Sequence, residues 1–241
     1  MQIDLTTRIG DIVRENFKTA RLFEANQIDF CCGGSISLEQ ACLKKQLDPN
    51  QLMAELNEII TQTDPDSAYF NSIELNDLCD YIEKRHHRYV NDTVPFLQTK
   101  LNKLVEVHGN THPELIEIRE LFEQAAGNLS AHMMKEELML FPTIRKLVKL
   151  KKGELQETYM FGHIAQMIAV MNHEHQAEGE RFEQISALSS GYSCPPDGCN
   201  TYRVGYETLR EFEQDLHRHI HLENNILFEK ALDLEHKLMA S

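Results

Sequence analysis

The stretch SAHMMKEELMLFP, residues 130–142, sets His132 and Glu136 one helical turn apart and follows them at once with Leu140 and Phe141. A second stretch, HRHIHLENNILFE at residues 217–229, repeats the arrangement with His219, Glu223, Leu227 and Phe228. Residues three and four apart share a helix face. Each motif therefore inserts two polar groups into a stripe that otherwise reads as apolar and core-facing.

Working outward, the same ladder test ranks every histidine near the motifs. The helix ahead of the first motif reads Leu75, Leu78, Ile82, His86, Tyr89, while His87 falls with Glu83 and Asn91. The first motif continues Leu115, Ile118, Phe122, Ala125, Leu129, His132, Glu136, Leu140. A third ladder runs Ile164, Ile168, Met171, His175, Phe182, and sets His173 aside with Ala169 and Glu180. The fourth, Leu209, Phe212, Leu216, His219, Glu223, Leu227, excludes His217 and His221. Four imidazoles and two carboxylates remain, all directed inward.

A lone histidine on an apolar face reads as a hydrogen-bonded core residue, but six inward polar groups read differently. Burying an unpaired carboxylate costs several kcal/mol against a total stability of about 5–15 kcal/mol, and no inward Lys or Arg compensates. Imidazole nitrogen and carboxylate oxygen suit first-row metal ions, and two carboxylates can bridge a pair of them. With about six positions per ion, four His, two bridging Glu and a bridging oxygen leave about two positions open for a small ligand or for metal release. Iron is the first choice and manganese the alternative: no thiolate lies on the seam to favour structural zinc, and the nitrogen-rich set disfavours magnesium and calcium.

The rest of the chain bounds these expectations. Its 24 Lys+Arg against 38 Asp+Glu give a net charge of -14, a surface that repels nucleic acid and anionic membrane alike. No apolar run approaches the ~18 residues a spanning helix needs, and MQIDLTTRIGDIVREN contains no signal-peptide core. The expectation is a cytoplasmic protein with no nucleic-acid or membrane partner. Six irregularly placed cysteines in 241 residues do not form a disulfide scaffold.

The fold class expected is all-α: a small helical domain at residues 1–61, a polar linker at 62–72, and a four-helix bundle at 73–241. Helices are expected over Ile9–Asn26 and Pro49–Ile60, with a further start at Ser37 and Gln40, a capping-box pair. The long helices are expected over Ile73–Val107, from Pro113 to the lysine-rich KLVKLKKG, and over His163–Leu188 and Tyr202–Leu238. Pro142 should kink the second of these or remove one of its hydrogen bonds. Between the first short helices lies IDFCCGGSISLEQACLKK, in which Cys31 and Cys32 read on spacing alone as small buried residues in a turn. Cys42 and Cys79 read as core residues, the Cys194/Cys199 loop lacks the further ligands of a zinc site, and Glu174 reads as solvent-facing.

With these residues placed, the C-terminal region resembles a hemerythrin-like four-helix bundle, and the whole chain is similar to the Repair of Iron Centers di-iron proteins. DFCCGG resembles the cysteine motif of that family's small N-terminal domain, and AHMMKEELMLFP and RHIHLENNILF resemble its ligand-bearing motifs. Glu229 departs from the pattern, standing where the family often has proline. The resemblance implies metal ligation by His86, His132, Glu136, His175, His219 and Glu223, and a non-haem centre of two iron ions with an oxo or hydroxo bridge. It further implies a stress-response protein that repairs iron-sulfur clusters damaged by nitric oxide or peroxide, by donating iron to damaged or apo iron-sulfur proteins. It gives Cys31 and Cys32 a redox or iron-transfer role. Nitric oxide or oxygen binding and sensing, or reduction of nitric oxide or peroxide at the centre, are the alternatives. A monomer and a homodimer fit equally.

Overall fold

The structure, a computed structural model, describes residues 3–155 and 162–240. Among the described residues there is no strand, only one isolated bridge between Arg8 and Ser37, and the expected all-α class is what the chain adopts. The helices are α1 (Ile9–Glu15), α2 (Ala20–Ala25), α3 (Leu38–Lys45), α4 (Pro49–Ile60), α5 (Pro65–Ser72), α6 (Leu75–Ile82), α7 (Arg88–His108), α8 (Glu114–Lys135), α9 (Phe141–Lys151), α10 (His163–Leu188), α11 (Asn200–Leu222) and α12 (Phe228–Met239). Two compact units result. One comprises Met1–Cys79, Ile144–Gln166 and Ile220–Ser241, the other Asp80–Thr143 and Met167–His219.

In the first unit, Ile9, Ile12, Val13, Phe23, Leu38 and Leu56 are fully buried. Ser37 caps α3 with the reciprocal Gln40 box that its sequence announces, and Asp48 caps α4 ahead of Pro49. The span read as a linker contains α5. Asp64 explains why: its carboxylate accepts from the Ser67 hydroxyl (2.7 Å) and from Phe17 N (2.9 Å), which fixes the start of α5 against the short helices before it. Gly10 and Gly34 are required where backbones meet. A Cβ on Gly34 would come within 2.6 Å of Phe30 O, and one on Gly10 within 2.4 Å of Asn225 Oδ1. Glu229, the departure from the resemblance, accepts from Arg8 (2.8 Å) and Arg14 (3.0 Å).

In the second unit, α7 and α8 pack side by side after a short connection, burying Leu97, Leu101 and Leu104 with Leu115, Ile118 and Phe122. Phe212 of α11 sits 5.6 Å, centroid to centroid, from both Phe122 and Phe182. Pro95 lies inside α7, and Thr99 Oγ1 donates to the Pro95 carbonyl (2.9 Å).

Three of the junctions between helices are single π turns, Glu83–His87, Glu136–Leu140 and Glu223–Leu227, so α6 and α7, α8 and α9, and α11 and α12 run on without a loop. A π turn closes i→i+5 and inserts one extra residue, rotating the rest of the helix by about 100° relative to α-helical register. Pro142 stands second in α9, just after such a turn. It has no N–H to offer Leu138, and the widened turn before it accommodates that missing bond without a break in the helix.

Candidate metal centre

Within the second unit, His86, His87, His132, Glu136, His175 and His219 are each at most 3% exposed. Ligand atoms of His87, Glu136 and His219 lie within 4.8 Å of one another, and so do those of His132, Glu136 and His175. Glu136 belongs to both groups. Its Oε2 is 3.3 Å from His87 Nε2, and its Oε1 is 3.3 Å from His132 Nε2. His132 Nε2 and His175 Nε2 approach to 2.9 Å.

The residue the ladder chose on the first helix is not the one brought to this cluster. His86 is buried beside it, stacked on the His219 ring at 5.3 Å, with Nδ1 2.9 Å from Asp215 Oδ2. Burial pushes its pKa below the ordinary histidine value, although Asp215 pulls the other way. His87, which the ladder assigned to the Glu83 and Asn91 face, is 1% exposed and joins Glu136 and His219. The π turn over Glu83–His87 is the cause. Bonding i→i+5 puts the residue five beyond Ile82 where an α-helical turn puts the residue four beyond it. No apolar periodicity announces the insertion; the paired histidines at 86 and 87 were the only signal.

Carboxylates hold the outer ring nitrogens. His87 Nδ1 is 2.7 Å from Glu137 Oε1, and His132 Nδ1 is 2.8 Å from Glu174 Oε2. Glu174, expected to face solvent, also bonds Lys135. Burial raises its pKa, but the Lys135 and His132 contacts outweigh that and hold the carboxyl below its usual range. A carboxylate at Nδ1 fixes the proton there and turns the Nε2 lone pair inward. The inward Nε2 atoms then face the oxygens of Glu136, which have no hydrogen-bond partner. Lone pairs facing lone pairs at 3.3 Å in a buried site call for a cation between them. The donors are two-nitrogen sets sharing one carboxylate, which suits a first-row ion on each side of Glu136.

Glu223 falls in the first unit, fully buried, as the first residue of its π turn, just as Glu136 is the first of its own. His221, set aside by the ladder, serves that unit instead. It is buried against Phe17 and Phe30, with Nδ1 3.0 Å from Asn225 Nδ2. Asn225 donates in turn to Phe30 O (3.2 Å), and Asn224 to Cys31 O (3.0 Å), so two residues of the second motif hold the cysteine turn. Asp29 caps the turn by accepting from Cys31 N, Cys32 N and Gly33 N. The two thiol sulfurs are 3.7 Å apart, and Asp29, Cys31 and Cys32 form a further compact group of ligand atoms. The adjoining Cys32 thiol, burial and the Asp29 charge all push the Cys31 thiol well up, so it rests protonated.

Two family models match the chain. Residues 5–60 match Domain of Unknown function (DUF542), and residues 80–231 match the Hemerythrin HHE cation binding domain. Among similar proteins, the iron-sulfur cluster repair protein ScdA of Staphylococcus haemolyticus is 32% identical over 92% of this chain and 96% of its own. The iron-sulfur cluster repair protein YtfE of Musicola paradisiaca is 34% identical over 93% and 95%, and that of Yersinia pseudotuberculosis 35% over 89% and 91%. No helix among the described residues is long and apolar enough to cross a membrane. Sharing both domains and most of its length with these relatives, the chain belongs to the hemerythrin-domain family of ScdA- and YtfE-type iron-sulfur cluster repair proteins.

Proposed function

We propose that this protein holds two iron ions and serves in the repair of damaged iron-sulfur clusters in the cytoplasm, supplying iron to damaged or apo iron-sulfur proteins. The observation that carries the reading is Glu136, wholly buried, with one carboxylate oxygen turned to His87 and the other to His132. On this reading His87 and His219 hold one ion, His132 and His175 the other, and Glu136 bridges. Glu223 supplies the second carboxylate, one helical turn beyond His219 as Glu136 is beyond His132. His86 is the neighbour that packs the site, not a ligand.

Iron held this way is cargo bound by nitrogen and oxygen donors, which release a ferrous ion more readily than a thiolate cage does. The chain's own residues set the conditions. Glu137 and Glu174 orient His87 and His132, and burial of the donors keeps bulk water from them. The relatives' names, iron-sulfur cluster repair proteins, support the client class. Cys31 and Cys32, close together and held by Asp29, are the residues through which iron would pass to a client.

The test is anaerobic transfer from the iron-loaded protein to an apo iron-sulfur protein, with metal analysis and Mössbauer spectroscopy of the donor. Two coupled irons per chain and transfer that slows in Cys31→Ala/Cys32→Ala support the reading. A single iron, or no transfer from the wild type, refutes it. Repeated turnover of nitric oxide or peroxide with an electron donor, at rates exceeding transfer, favours reduction at the centre instead.

A further inference from the structure

Two cysteines in the second unit stand apart from the metal centre, in the loop SCPPDGCN, residues 193–200. Cys199 immediately precedes α11, and its carbonyl accepts from Arg203 N (3.1 Å). Its exposed thiol lies 3.3 Å from Nε2 of His108, the last residue of α7, and also takes bonds from the backbone N–H groups of Tyr202 and Thr201. Cys194 opens the loop. Gly198 N donates to Pro195 O (2.9 Å), closing a turn that folds the chain back on Cys194. The Cys194 sulfur then rests on Gly198, where a Cβ would come within 2.4 Å of it. The residue after Gly198 is Cys199, so one thiol is held against the backbone that carries the other.

We propose that Cys194 and Cys199 form a peroxide-oxidisable thiol pair, with His108 activating Cys199 as the attacking sulfur. The chemistry balances with hydrogen peroxide as oxidant. The Cys199 thiolate attacks the peroxide oxygen, the O–O bond breaks, and with one proton the products are a sulfenic acid and water. The Cys194 thiol then attacks the Cys199 sulfur, the S–O bond breaks, and a second water leaves as the disulfide forms. Two electrons pass from the thiols to the peroxide.

Three features assign the roles. His108 and the first N–H groups of α11 lower the Cys199 thiol to about 7, so that much of it is thiolate at neutral pH. The titratable side chain in contact with it is His108 from α7, and in the loop Asp197 is engaged by His112 at 3.1 Å. Cys194 is half-buried, bonded to Pro195 O at 3.6 Å, and fits the resolving role. A metal does not account for the cluster: among the described residues, none of the compact ligand groups includes a residue of this loop. The inference is independent of the di-iron reading and of Cys31 and Cys32.

The test treats the full-length reduced protein with hydrogen peroxide, quenches with catalase, and maps thiols by non-reducing peptide mass spectrometry. A Cys194–Cys199 disulfide is expected, and in Cys194→Ser a Cys199 sulfenic acid trapped by dimedone. Alkylation of Cys199 by iodoacetamide should rise with pH through about 7, and His108→Asn should slow it about fivefold at neutral pH by returning the thiol toward its usual pKa of about 8.5. Gly198→Ala, whose methyl displaces the Cys194 sulfur, should suppress the disulfide while Cys199 still alkylates at the wild-type rate. That combination separates a placed thiol pair from misfolding. Cys199 unoxidised, a disulfide to any other cysteine, or His108→Asn indistinguishable from wild type overturns the proposal.

Discussion

His86 and His87 differ by one position, and that position decides which imidazole meets Glu136. His87 has Nδ1 on Glu137 and Nε2 toward Glu136, whereas His86 has Nδ1 on Asp215 and its ring flat against His219. Iron analysis of single variants tells them apart: His87→Ala should lose one of the two irons, and His86→Ala should keep both. The reverse result would return the ligand to His86. Glu137→Gln should leave the ligand set complete but weaken iron binding about 10–100-fold, the usual effect of removing the carboxylate behind a metal-bound histidine. A competition titration against a chelator of known affinity reads that change. His132, Glu136, His175 and His219 fall on the face that the spacing gives because an unbroken α-helical run leads up to each of them, and over such a run spacing alone fixes the face.

The π turn is the element-scale feature that spacing missed. Sequence ladders assume one period throughout, and the extra residue in Glu83–His87 breaks that assumption at the site itself. Lys84 is exposed within the turn, and its contact with Asp80 is a surface ion pair of little energetic weight. Deleting it would leave His87 four residues beyond Ile82, the spacing that an ordinary α-helical turn needs to keep the same face. The shortened protein should therefore still bind iron through His87, and His87→Ala in that background should still lose it. Loss of iron on deletion, with helical circular dichroism intact, would mean that the turn's own geometry aims the imidazole. The starts of α3 and α4 were readable because Ser37, Gln40 and Pro49 act within one turn of themselves. Helix α5 was not, because Asp64 bonds Phe17, far away in sequence, as well as its own neighbour Ser67.

At the scale of the whole molecule, an acidic chain with net charge -14 also buries Glu136 where neither of its oxygens has a hydrogen-bond partner. Cations that bind only the folded chain stabilise it by linkage, about 2.7 kcal/mol at a hundredfold excess over Kd. For a chain of this size each kcal/mol moves the melting temperature by about 2–4 °C, so chelation should lower it by about 5–10 °C. Glu136→Gln separates this linkage from a general weakening of the core. The amide carries no charge to strand, so the metal-free variant should melt at or above the metal-free wild type, since an uncompensated buried carboxylate is itself destabilising. It should also gain nothing from added ferrous ion, because the shared ligand is gone. The two melting curves would then cross, with the wild type higher when loaded and the variant equal or higher when stripped. A variant that melts lower than wild type in both states would show that Glu136 stabilises the fold through protein contacts, and the cation would no longer be needed to explain its burial.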